Sequence, residues 1–344
     1  MLSFALITHD EGPRLRRSLA ALERGLLPDE DLTVFDLGST DDTLPELASF
    51  MGPRAGELIR LTRPDLSRSE AITLARDVAR HPYLLVLDGC DLLISEALDG
   101  LRRVLAQEPQ AVVLNRGWGL GGVDAILPAP DAARMATLGS DPDCGALMTL
   151  TPDPDRLLIH AGLAGKLAKE LACEACASGT PAQDWALWQQ ILTRAESVAL
   201  HPETLWISPL PARPVAPVFT AIAASPAPVE EIGRMLSWAE DALIFAAPDE
   251  APALLQAAQE MLAALSPEHV AALPDTAPLV PLLAALTRDD TALALTHIAL
   301  LLAAQERRRN DALCAALAGL RHDLDLALPG PAYLRDLYDR IRAR

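Results

Sequence analysis

TVFDLGSTDDT, residues 33–43, is a short β-type run that ends in an acid and passes at once into a polar turn. Thr33, Val34 and Phe35 suit a buried strand, and Gly38 permits a tight exit from it. Ser39 or Thr40 can cap a helix that opens with Asp41 and Asp42. Asp36 then falls at the carboxyl end of the strand, the edge of an open α/β sheet at which ligands bind.

The same grammar extends in both directions. Strand-type runs at 3–8, 32–35, 57–61, 83–87, 111–114 and 146–150 alternate with helix-type segments at 13–24, 44–50, 68–80 and 95–106. Such alternation predicts an α/β domain with a mostly parallel sheet. Residues 115–144 begin NRGWGLGG and continue rich in Pro and Asp, which predicts a mobile loop. Prolines 209, 211, 214, 217, 226 and 228 predict a helix-free linker. Beyond them Ala and Leu recur at helical spacing, with helices expected at 230–246, 251–265, 291–305 and 311–320. The expected division is therefore an α/β domain at 1–209, a Pro-rich linker at 210–228 and an all-helical domain at 229–344.

Composition narrows the function classes. The chain has 344 residues, half of them apolar, enough to bury a sizeable interior. Acids outnumber bases 47 to 29, a formal charge of −18, which repels phosphate backbones and argues against a nucleic-acid partner. No run reaches the roughly 18 apolar residues that cross a bilayer, and the N-terminus has no basic lead-in to a secretory signal. Five cysteines without framework spacing fit free thiols and a cytoplasmic location. The Cys173/Cys176 pair lacks a second pair at ligand spacing and reads as ordinary thiols. No Gly-x-Ser-x-Gly elbow and no Gly-x-x-x-x-Gly-Lys loop is present, so those signatures of serine hydrolases and P-loop enzymes are missing.

Four segments taken in order resemble the family 2 glycosyltransferases, whose sheet is a Rossmann-like nucleotide-sugar-binding fold of A type. SFALITHDEG (3–12) resembles the opening strand and turn of that family, and FDLGSTDDT (35–43) its Asp-Asp-Gly-Ser-Thr-Asp-Asp-Thr. YLLVLDGCDLL (83–93) is similar to the strand ending in Asp-x-Asp-Asp, and QDWALW (183–188) to the Glu-Asp-Trp before a long helix. The resemblance covers about residues 2–209. It implies transfer of a sugar from a nucleotide-sugar donor to a glycan or other hydroxyl acceptor, with inversion.

By the same resemblance Thr8, His9 and Asp36 would contact the nucleotide. Asp88 and Asp91 would lie at the diphosphate and hold Mg²⁺ or Mn²⁺, hard ions suited to carboxylate oxygens. Asp184 would be the general base on the acceptor, with the helix 185–193 behind it. The bland reading of Asp184 is an N-cap of that helix, and of Asp88 and Asp91 a solvated strand end.

Departures from the pattern cluster at the donor side. Leu37 replaces an acid, Cys90 stands at the central metal position, Ile72 replaces an arginine and Gln183 a glutamate. They support an alternative: a catalytically inactive protein of the same fold that binds a glycan or a protein partner, with the helical domain as interaction surface.

Overall fold

The computed structural model describes residues 1–51, 57–60, 67–119, 126–128, 131–138, 142–148, 150–170, 181–209, 215–224, 235–236, 238–239, 242, 250–266 and 279–323. Two sheets organise the first two hundred of these. The first holds β1 (Leu2–Thr8), β2 (Asp31–Asp36), β3 (Glu57–Arg60) and β4 (Tyr83–Asp88) in the order β3-β2-β1-β4, all parallel. Helices α1 (Gly12–Gly25), α2 (Thr43–Met51) and α3 (Arg68–Val78) make the crossovers. All seven residues of β1 are buried, as a strand covered on both faces requires.

Leu15, Leu19 and Leu22 of α1 pack on one face of the sheet with Leu98, Leu101 and Leu105 of α4 (Leu98–Leu105). Ala71 and Ala75 of α3 cover Ala5, Ile7 and Phe35 on the other face. The chain runs outward from β1 through β2 to β3 and then returns to place β4 on the other side of β1. That reversal splays the connections after β1 and β4, and the crevice between them is where open α/β sheets bind ligands.

The second sheet is mixed. It has the order β5-β9-β6-β7, formed by β5 (Leu92–Leu93), β6 (Ala111–Gly119), β7 (Ile126–Pro128) and β9 (Val198–Pro209), with β8 (Leu157–Ile159) also on β6. Only the β6/β9 pair is parallel. The short helices α5 (Ala132–Thr137) and α6 (Cys144–Leu147), then α7 (Ala161–Glu170) and α8 (Pro181–Arg194), pack around it.

Several expectations need correction. NRGWG, expected as loop, is the end of β6: pairing with β9 and β7 overrides its glycines, and register shifts on either side of Asn115 absorb the irregularity. Residues 146–150, expected as a strand, begin within α6, because the Asp143 carboxylate accepts the Ala146 N–H at 2.7 Å and starts a helical turn. The Pro-rich stretch holds α9 (Ala216–Ala223), with Pro217 in the first turn, where a missing N–H costs nothing.

Further along lie α10 (Ala251–Ala264), α11 (Val280–Thr287) and α12 (Thr291–Asp323). α12 runs unbroken where the sequence suggests two helices. Val218, Phe219, Trp238, Leu254, Met261, Leu283 and Ile298 form a second core, and Trp185 of α8 enters it. The expected helix at 230–246 lies largely outside the described residues. No helix among the described residues is long and apolar enough to cross a membrane.

Candidate functional site

The three carboxyl ends of the parallel sheet that the sequence singles out stand side by side. Thr8 closes β1, Asp36 closes β2 and is in register with Thr8, and Asp88 closes β4 opposite Ile7. Leu37 N–H donates to Thr8 O at 2.9 Å and Gly89 N–H to Ile7 O at 2.8 Å, so both exits begin at fixed positions.

The GSTDDT turn does something the sequence did not reveal. The N-terminal N–H groups of a helix lack intrahelical partners, and at α1 they are taken by side chains from the turn after β2. Asp10 N–H donates to Ser39 Oγ (3.0 Å), Glu11 N–H to Thr43 Oγ1 (2.9 Å) and Gly12 N–H to Asp41 Oδ2 (3.0 Å). In return the Asp10 carboxylate accepts from Thr40 N–H at 2.7 Å. Asp10 adopts positive φ (51°), a conformation its short polar side chain tolerates. Ser39 and Thr40, expected to cap their own helix, thus stitch two loops together.

Asp36 is fully buried and its Oδ1 accepts Ser39 N–H at 3.1 Å. It holds the turn from beneath and presents no surface to solvent. Thr8 is also buried, and its hydroxyl donates to Glu11 Oε2 at 3.1 Å. Both side chains crowd Gly89, where an added Cβ would lie 2.1 Å from Glu11 Oε2 and 2.6 Å from Thr8 Oγ1. Burial pushes the Glu11 carboxyl above its usual range. Burial also raises the Cys90 thiol, with the charges of Glu11 and Asp91 adding to the effect, so the group is a neutral thiol. His9 is the open member of the set, 3.6 Å from the Asp10 carboxylate.

Arg68, which none of the sequence motifs includes, dominates the β4 end. From the first turn of α3 its Nε donates to Asp88 Oδ1 at 2.8 Å and its Nη1 to Asp155 Oδ1 at 3.0 Å. Burial opposes its charge, but Asp155 and Asp88 outweigh that and raise its pKa. Arg68 lies four residues before Ile72 on the same helix, so it faces the same side one turn away.

Asp91 turns inward. It is buried, its Oδ2 accepts Asp88 N–H at 2.9 Å, and burial followed by the nearby Asp88 charge pushes its carboxyl up to about 7. Arg116 pairs with Asp153 at 2.5 Å, lies 3.9 Å from Asp155 and stacks 4.0 Å over the Trp118 ring.

The turn carrying Asp153 and Asp155 is fixed from behind by Arg156. Its Nη1 donates to both oxygens of Asp131 (3.1 and 2.9 Å) and its Nε to Leu114 O (2.9 Å), in a fully buried pair. Asp184 comes from another element. The helix begins at Pro181, so Asp184 is a first-turn residue rather than the expected N-cap, and α8 packs against the turn that holds Asp155. The structure thus gathers Thr8, His9, Asp36, Asp88 and Asp91 at one sheet edge, with Asp184 on a helix that borders the neighbouring turn.

Comparison with solved structures decides the fold. A crystal structure of TarS residues 1–349 from S. aureus superposes with a TM-score of 0.59 at 14% identity, covering 86% of this chain and 90% of that one. The fold is that of the A-type glycosyltransferases. The same TarS fragment with UDP-GlcNAc gives 0.57 at 13% identity and equal coverage. The mannosyltransferase PcManGT of Pyrobaculum calidifontis, in complex with GDP-Man and Mn²⁺, gives 0.52 at 18% identity over 92% of this chain and 86% of that one. No family model and no curated protein matches the sequence. At these identities the likeness carries the A-type glycosyltransferase fold and leaves the chemistry to the site.

Proposed function

We propose that the chain transfers a sugar from a nucleotide-sugar donor to a glycan or other hydroxyl acceptor. The observation that carries this reading is the crevice after β1 and β4, where the sheet order reverses and Thr8 and Asp88 end their strands, with His9 open beside them and Asp36 buried beneath the neighbouring turn. Fold neighbours that hold UDP-GlcNAc, UDP and GDP-Man support it. The nucleotide would lie over the 8–10 and 36–38 loops, with Asp36 shaping the floor. Leu37 offers no side-chain acceptor for a base. Asp184 would take the proton from the acceptor hydroxyl, which attacks the anomeric carbon opposite the departing diphosphate. One base and a direct displacement invert the configuration, and a positioned base contributes a factor of roughly 10² to 10⁴.

The Mg²⁺ or Mn²⁺ suggested by the resemblance, and by the Mn²⁺ bound to PcManGT, does not fit the residues as they stand. Asp88 is engaged by a guanidinium, Cys90 is a neutral soft donor and Asp91 faces the backbone. Among the described residues no group of three or more acids, histidines and cysteines could hold such an ion. No step of the reading is routed through a metal.

The division into a transferase domain at 1–209, a linker at 210–228 and a helical domain at 229–344 belongs to the same reading, with the last part facing acceptor or protein partner. Cys90 and Cys144 are thiols outside any disulfide among the described residues, which suits the cytoplasm. The capture of Asp88 by Arg68 favours a second reading, a binding module of the same fold without turnover.

A thermal-shift panel of UDP, GDP, CDP and dTDP sugars, each with and without Mn²⁺, tests the proposal. Binding at a hundredfold excess over Kd stabilises by about 2.7 kcal/mol, so one responding nucleotide is the expected result. Silence across the panel would refute the transferase reading and leave the second, with a glycan or protein as its ligand. A response with no transfer of sugar to any acceptor, and so no release of nucleoside diphosphate, would favour the second.

A further inference from the structure

We propose that Arg68 is the built-in cation of the donor crevice, so that the diphosphate of the sugar nucleotide is held by its guanidinium and not by a divalent ion. This rests on the nucleotide-sugar reading above and specifies how its donor site works. A diphosphate leaving group gathers negative charge as the sugar departs, and something positive must meet it. The carboxylate that the resemblance assigns to a metal, Asp88, is bound by Arg68 at 2.8 Å.

Arg68 is also placed to do more than neutralise Asp88. Asp88 takes Nε and Asp155 takes Nη1, two clamps that fix the plane of the guanidinium. Nη2 makes no hydrogen bond among the described residues, and the side chain is 32% exposed. An oriented guanidinium with donors to spare matches phosphate oxygens, and the two carboxylates bear the ordering cost before the ligand arrives. Arg116, the other guanidinium at this end, pairs with Asp153, lies 3.9 Å from Asp155 and stacks on Trp118, and at 7% exposure it is too buried to reach a ligand.

The test is titration calorimetry of the whole chain with UDP and with GDP, first in EDTA and then in Mn²⁺, for the wild type, Arg68→Lys and Arg68→Met. For the nucleotide that binds, the expected Kd is the same within threefold in both buffers. Arg68→Met should weaken it at least tenfold, with Arg68→Lys between. Saturation-transfer NMR with the matching nucleoside should show equal binding to wild type and Arg68→Met, which separates a lost phosphate contact from a misfolded crevice. Binding that requires Mn²⁺, or Arg68→Met binding the diphosphate as the wild type does, would overturn the proposal while leaving the nucleotide-sugar reading intact. Failure of both diphosphates in both buffers, together with silence of the CDP and dTDP sugars in the thermal-shift panel, would overturn the two together.

Discussion

Replacing Arg156 with Met should strand a fully buried charge, that of Asp131. Asp131 is fully buried, Arg156 is 2% exposed, and their contact is two hydrogen bonds from one nitrogen at 3.1 and 2.9 Å. In the variant the Asp131 carboxylate keeps the Thr151 N–H at 2.9 Å. Breaking one side of a buried pair costs about 3–5 kcal/mol, because the surviving charge loses its contacting counterion and gains no water. The double variant Arg156→Met with Asp131→Asn removes the charge as well and should recover most of that loss.

The two proteins should also differ in sign with pH. Burial raises the Asp131 pKa in the wild type, but Arg156 outweighs it and holds the group below the usual range. Its contribution is therefore present above the unfolded pKa near 4 and is lost as the solution is acidified through the folded value. In Arg156→Met, burial, the largest influence on the group, is opposed only by the Thr151 N–H and the more distant Arg134 charge, so stability should rise on acidification. Urea unfolding followed by circular dichroism between about pH 4 and pH 8 reads both effects. A single-variant loss under about 1 kcal/mol, or a double variant as unstable as the single, would refute the reasoning.

Three further outcomes are expected. Gly89→Ala should cost about 1–3 kcal/mol, as overpacking does, since its Cβ meets Glu11 Oε2 and the Thr8 side chain; an unchanged thermal midpoint would contradict that. Asp91 is raised by burial and by Asp88, so the folded state binds its proton more tightly and stability falls as pH rises from about 4 to about 7. Asp91→Asn should flatten that slope and be the more stable protein at pH 8, and lower stability there would show the charge to be favourable. Trp185 of α8 stacks on Trp238 at 5.8 Å and 15°, so Trp238→Ala should cost about 3–5 kcal/mol and lower kcat more than it changes KM, because Asp184 precedes Trp185. Loss of stability with unchanged kcat would detach the helical core from the base.

The strand ends were legible because each is a short apolar run closed by an acid or a small residue. Asp36 and Asp88 sit where that reading put them. What Ser39, Asp41 and Thr43 do was not legible, since their partners lie 29 to 32 residues away and local propensity offers them their own helix first. β9 escaped notice because His201, Pro202 and Glu203 interrupt its apolar pattern, while pairing with β6 carries it through two register shifts. Arg68 had one available signal. It stands one helical turn before Ile72, so a guanidinium missing at 72 can be supplied from 68 on the same face. Its link to Asp155 spans 87 residues and belongs to tertiary structure alone.

Photoaffinity labelling with azido-uridine and azido-guanosine diphosphate sugars, followed by peptide mapping, tests the central claim most directly. The account predicts label on residues 8–12 or 36–43, suppressed by the matching unmodified nucleotide sugar. Label confined to the helical segments beyond residue 215, or label that excess nucleotide sugar does not suppress, would contradict it.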